Sequence, residues 1–202
     1  MTLDKKTPEL KPSDLNIYLA SSWKNPHQPE DLAVLLDAGF SVYDFRNPCD
    51  GDAGFSWSSI EPDWRTKWPK DPKAFAEGLR HPIAENGFAL DMQAIDSASV
   101  CVLCLPAGNS AHLEAGFMVA RGAPLIVIAH EGFEPELMYL MGTSRGALGL
   151  VVVESAGEAC RALRTLLASQ AWREQLTDPD WKAWWHESPI APLFRTKQAV
   201  SP

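Results

Sequence analysis

Apolar positions along this chain come in short blocks separated by amphipathic stretches, and the alternation predicts the order of elements. NIYLAS (16–21) is a compact apolar run suited to a buried strand, followed by Ser22 and Trp23. QPEDLAVLLDAG (28–39) has helical spacing and a glycine stop. FSVYDF (40–45) predicts a second strand, with Asp44, Arg46 and Asn47 at its polar end. Helical pattern returns from Pro72 to Ala98 as two helices parted near His81 and Pro82. SVCVLCLP (99–106) is the third predicted strand, and AHLEAGFMVARG (111–122) a helix closed by Gly122. PLIVIAH (124–130) and LGLVVV (148–153) predict two more strands, with a short helix between them at EPELMYLMG (134–142). SAGEACRALRTLLAS (155–169) is the last regular helix expected.

Strands that alternate with helices imply a parallel sheet covered on both faces. The expected class is therefore a three-layer α/β/α fold with a five-stranded, mostly parallel sheet of flavodoxin or Rossmann type. A chain of 202 residues fits one such domain. It is expected over 15–170, after a flexible lead-in at 1–14 and before a tail at 171–202 that carries Trp172, Trp181, Trp184 and Trp185. Between the second strand and the next helix, residues 46–70 are rich in Gly, Pro and Trp and lack a period. A loop of that length inside a compact domain reads as a functional lid. Phe55, Trp57, Trp64 and Trp68 would either stack on a ligand or anchor the loop to the body.

Charge removes some partners from the picture. Acidic residues outnumber basic ones by 26 to 18, for a formal charge of −8, and the Lys and Arg residues are scattered. No basic stripe is offered to a nucleic-acid backbone, although a small anionic ligand needs only local donors. The first residues lack the apolar core of a signal peptide, and no apolar run reaches the length of a membrane span. A cytoplasmic protein with no membrane partner is the expectation. Cys101 and Cys104 form a C-x-x-C within a strand, where positions three apart point to opposite faces, so both are read as core fillers rather than a metal or redox pair. Cys49 and Cys160 have no evident partner.

In open parallel sheets, ligands bind outside the carboxyl ends of the strands, near the point where strand order reverses. Three segments deliver polar side chains to that rim: Ser21 and Ser22, then Asp44 and Asn47, then the run from Asn109 to Glu114. Asn109 or Ser110 fits as a helix cap, and the amides of the same turn are ready donors to an anion or a sugar hydroxyl. Leu113 stands where a capping box would need Glu or Gln. His112 and Glu114, two apart, diverge around a helix. Glu114 is either a favourable partner for the helix dipole or a reactive carboxylate at a pocket mouth. Asp91 and Asp96 lie roughly 140° apart around their helix, so only one of them can face a given pocket. Asp91 is the candidate.

These residues resemble the nucleoside 2-deoxyribosyltransferase-like family of N-glycosidic-bond enzymes. IYLASSW at the first strand, Asp91 before the third, and VLCLPAGNSAHLEAGFMVARGAPLIVI carry the likeness, centred on Ser110, Glu114 and Gly116 with Gly122 and Pro124 after them. The resemblance implies that Glu114 attacks the anomeric carbon of a nucleoside or nucleotide and that Asp91 helps protonate the leaving base. Ser110 and Asn109 fall where relatives hold a sugar hydroxyl or 5′-phosphate, and Ser21 and Ser22 fall in the first pocket loop. Asp44, Asn47 and His112 join them as substrate-binding candidates. No metal or redox cofactor is needed for either outcome, hydrolysis or transfer, and a homodimer or higher homo-oligomer is expected. The chain departs from the pattern in two places. Gly108, Asn109 and Ser110 replace an Asp that orients the sugar in many transferases, and Trp23, Lys24 and Asn25 replace first-loop arginines of nucleotide-using relatives. Two other readings share the architecture: a domain that cleaves or senses NAD, and a non-catalytic module that binds a partner through its Trp-rich lid and tail.

Overall fold

A computed structural model describes residues 10–145 and 149–177, without the side chains of 144–145 and 175–177. Five strands form one sheet: β1 (Asn16–Ala20), β2 (Ser41–Tyr43), β3 (Val100–Cys104), β4 (Leu125–Ile128) and β5 (Leu150–Val153). Among the described residues, seven α-helices accompany them: α1 (Gln28–Asp37), α2 (Trp64–Lys67), α3 (Pro72–Gly78), α4 (Pro82–Ser97), α5 (Asn109–Ala120), α6 (Ala156–Ala168) and α7 (Gln170–Thr177). All strand pairs are parallel, and the order is β2-β1-β3-β4-β5. The fold is a three-layer, Rossmann-like α/β/α sandwich, and strand order reverses between β1 and β3. No described helix is long and apolar enough to cross a membrane.

The chain divides into two compact units, one containing residues 10–43 and 97–177 and the other 44–96. In the first, alternate strand positions feed different helices. Ile17, Leu19, Val100, Val102 and Cys104 join Leu35 of α1 and Leu163 and Leu166 of α6 in one continuous core. The intervening Tyr18, Cys101 and Leu103 are just as buried and face the side of the sheet that α5 covers. β3 is central and fully buried along its length, which is why its sequence is apolar without interruption. Gly122 ends α5 with φ +93°, a conformation that side-chain-bearing residues avoid, and its N–H returns to Val119 O at 2.9 Å.

Several local expectations are revised. The strand expected over 40–45 stops at Tyr43, because the Asp44 carboxylate accepts from Arg46 N at 3.1 Å and its carbonyl from Asn47 N at 3.0 Å, which closes a turn. The short helix expected at 134–142 is a 3-10 segment, Leu137–Arg145. There Thr143 Oγ1 donates to Leu140 O at 2.7 Å, and a Cβ at Gly142 would stand 2.9 Å from Gly149 O, so the tight turn is held against the chain entering β5. At the head of the Trp-rich tail, where a small helix fits the expectation, α7 forms and buries Trp172. Trp181, Trp184, Trp185 and most of the expected lead-in lie outside the described residues.

The second unit contains the expected lid, and its aromatic side chains pack on one another. Trp57 meets Phe55 and Trp68 edge-on at 4.6 and 5.1 Å, and Trp68 lies 5.6 Å from Phe75 of α3. Asp71 caps α3 by accepting from Ala74 N. Two glycines admit the rings: an added Cβ would fall 2.7 Å from Trp68 at Gly78 and 2.9 Å from Phe55 at Gly87.

Candidate functional site

β3 runs into a cis Leu105–Pro106 bond and then α5, whose N-cap is Gly108. Asn109 and Ser110 therefore sit inside the helix rather than before it, and no side chain caps this end. Both are exposed. His112 Nδ1 lies 2.9 Å from Gly108 O while Nε2 lies 2.9 Å from the Tyr139 hydroxyl, which ties the ring to this turn and leaves its first amides uncapped. The loop after β1 abuts this turn, since a Cβ at Gly108 would be 3.9 Å from Ser22 Oγ.

α5 divides the expected residues between its two flanks. A cavity of about 620 Å³ opens between α5 and the 134–141 segment. Asn109, His112, Leu113 and Gly116 line it from the helix, with Glu134, Glu136, Tyr139 and Met141 opposite. Its size suits a small molecule. Burial, and to a lesser extent Glu136, push the Tyr139 hydroxyl pKa up, so it remains a hydrogen-bond donor. Ser110 and Glu114 are not among the cavity's lining residues. Glu114 lies about 200° around the helix from His112, on the same flank as Ser110 one turn earlier. It is half-buried, and its charge is felt at Cys101, where burial first and then Glu114 raise the thiol pKa.

Behind the β1 and β3 ends lies a polar cluster that the motif gave no reason to expect. Cys104 Sγ donates to Asp31 Oδ2 at 2.7 Å, and His130 Nε2 meets the same oxygen at 2.7 Å. Asn25 Nδ2 donates to Cys104 Sγ at 3.1 Å and to Ser21 Oγ at 2.9 Å, and Ser21 Oγ donates to Cys104 O. The His27 ring stacks on His130 at 4.0 Å. Burial and then the Asp31 carboxylate push the Cys104 thiol pKa up. Cys104 is thus more than the core filler expected of it, and Ser21 belongs to this network. Asp31, Cys104 and His130 offer one carboxylate oxygen, one sulfur and one imidazole nitrogen, all within 4.8 Å of one another, a donor set able to hold a cation.

Of the other expected residues, Asp44 and Asn47 bond to each other at 2.8 Å in the second unit, where half-buried Asp91 also resides on α4. Asp31, His130 and Tyr139 are not among the residues expected from the sequence, and Asn25 enters there only as a replacement for a first-loop arginine. A signal for Asp31 exists: with Gln28 and Leu35 it makes the buried stripe of α1, three and four residues apart. His130 ends PLIVIAH at the carboxyl end of β4, the same rim from which the other candidates were taken. No family model and no curated protein matches the chain.

Proposed function

We propose that this chain cleaves the N-glycosidic bond of a nucleoside or nucleotide, with Glu114 as nucleophile and Asp91 as the acid that protonates the departing base. The Glu114 carboxylate attacks C1′, the C1′–N bond breaks with its electron pair leaving on the base nitrogen, and Asp91 supplies the proton. Water or a second base then releases the glycosyl ester, which gives hydrolysis or transfer. One observation carries the reading. Where the strand order reverses between β1 and β3, the Ser22 loop lies beside the uncapped Gly108–Ser110 turn, and Glu114 follows one turn later on Ser110's flank of α5. The resemblance assigns that position the reacting carboxylate. Exposed Leu113, Leu137, Met138 and Leu140 support the homodimer or higher homo-oligomer, which sedimentation would detect.

The test is chromatography of free base after incubation with a pooled set of nucleosides, 5′-nucleotides and NAD. Release from wild type and none from Glu114→Ala, with matching circular dichroism, is the expected result. Equal release by the variant overturns the assignment, and nicotinamide as the sole product moves the substrate to NAD.

A further inference from the structure

We propose that Asp31, Cys104 and His130 form a binding site for a single transition-metal ion of the zinc class. The three come from separate segments, the first turn of α1, the end of β3 and the loop after β4, and converge on one point. Their side chains are mostly withdrawn from water: those of Asp31 and His130 are 5% and 18% exposed, and Cys104 is fully buried. Sulfur, imidazole nitrogen and carboxylate oxygen together select borderline cations such as Zn²⁺ over Mg²⁺ or Ca²⁺, which take oxygen alone.

A second observation concerns the sulfur. Asn25 is itself buried at 2% exposure and points Nδ2 at Cys104 Sγ, while its Oδ1 accepts from His27 N at 2.9 Å. That bond fixes the amide orientation, so the group aimed at sulfur is a donor. Donors to sulfur stabilise a thiolate ligand, as outer partners of metal ligands do. The Ser21 bond to the Cys104 carbonyl holds the same backbone in place.

Geometry requires a small expansion on binding. Two donors crowd one oxygen of Asp31 at 2.7 Å, whereas ligand atoms around tetrahedral zinc stand about 3.3 Å apart. His130 is the movable member, since it follows β4 in a loop. Metal entry releases the thiol proton to solvent, moves the His130 ring proton from Nε2 to Nδ1 through solvent so that Nε2 is free to ligate, and sets M–S, M–N and M–O bonds in place of the Asp31 hydrogen bonds. Three protein ligands leave the fourth position to water, the pattern of zinc sites that keep an open coordination place.

Binding here is independent of the Glu114 chemistry, and the readout is independent of activity. The chelator-treated full chain is titrated with Co²⁺ and, separately, Zn²⁺, in wild type and in Cys49→Ser, which removes the exposed thiol. Expected are one equivalent per chain, a sulfur-to-cobalt charge-transfer band with tetrahedral d–d bands, and displacement of Co²⁺ by Zn²⁺. Cys104→Ser should abolish the charge-transfer band, and Asn25→Ala should weaken binding by about 10- to 100-fold. Absence of saturable uptake by wild type overturns the site without recourse to any variant. So does a charge-transfer band that survives in Cys104→Ser or disappears in Cys49→Ser.

Discussion

Cys101 and Cys104 stand three residues apart on one strand, both fully buried, and their surroundings share little else. Cys101 lies on the α5 side, within the electrostatic reach of Glu114. Cys104 turns to α1 and meets a carboxylate, an amide and, through that carboxylate, an imidazole. Equal burial therefore says nothing about role. What separates the two thiols is whether a polar neighbour has been brought in to meet the sulfur, and that is decided by the side chain that α1 points inward.

The largest effect that sharpens this contrast lies on the Cys101 side. Glu114→Ala should lower base release by about 10⁴-fold or more while thermal unfolding is little changed, measured by single-turnover assay and dichroism melts. On the Cys104 side, Asp31→Ala should act on stability instead. It leaves a buried thiol and imidazole without their acceptor and should cost about 3 kcal/mol by urea denaturation. A smaller and more diagnostic effect is a crossed preference. At 104, serine should be tolerated better than alanine, because its hydroxyl can still donate to Asp31. At 101, alanine should be the better tolerated, each pair differing by about 1 kcal/mol. Matching orders at the two sites would break the contrast.

The smallest effect is chemical. Exposed Cys49 should react rapidly with a thiol reagent at pH 8, and Cys101 and Cys104 only on unfolding. Burial raises the folded pKa of both above the ordinary thiol value of 9.0. The unfolded chain therefore ionises first, so this contribution to stability is whole below pH 9 and is lost as the pH climbs beyond it. Denaturation midpoints at pH 7, 9 and 10 would check the sign.

The sheet was legible because β1, β3 and β4 are buried on both faces and must be written in apolar residues. Their alternation with amphipathic helices then fixed parallel pairing. Strand ends were less legible where a side chain intervened, as Asp44 does after Tyr43. The 134–142 segment has helical apolar spacing, but its tight winding depends on Gly149, seven or more residues away and invisible to a local pattern. The rim position of Asn109–Glu114 was readable, whereas its division between two flanks of α5 was only half so. The divergence of His112 from Glu114 follows from helix geometry, but the cavity on His112's side needs the 134–141 segment opposite. Asp31 escaped notice because a carboxylate in a first helical turn has an ordinary explanation in the dipole. Its inward stripe with Gln28 and Leu35 outweighs that explanation.

The glycine contact at Trp68 supplies a built-in optical gauge. Indole and phenyl rings held edge-on a few ångströms apart couple their ultraviolet transitions and produce a paired positive and negative band in dichroism. A single methyl at Gly78 would intrude to 2.7 Å from the Trp68 ring and spread the stack. Gly78→Ala should erase that paired signal. The 44–96 unit can therefore be watched by its own light while chemistry elsewhere in the chain is altered at will.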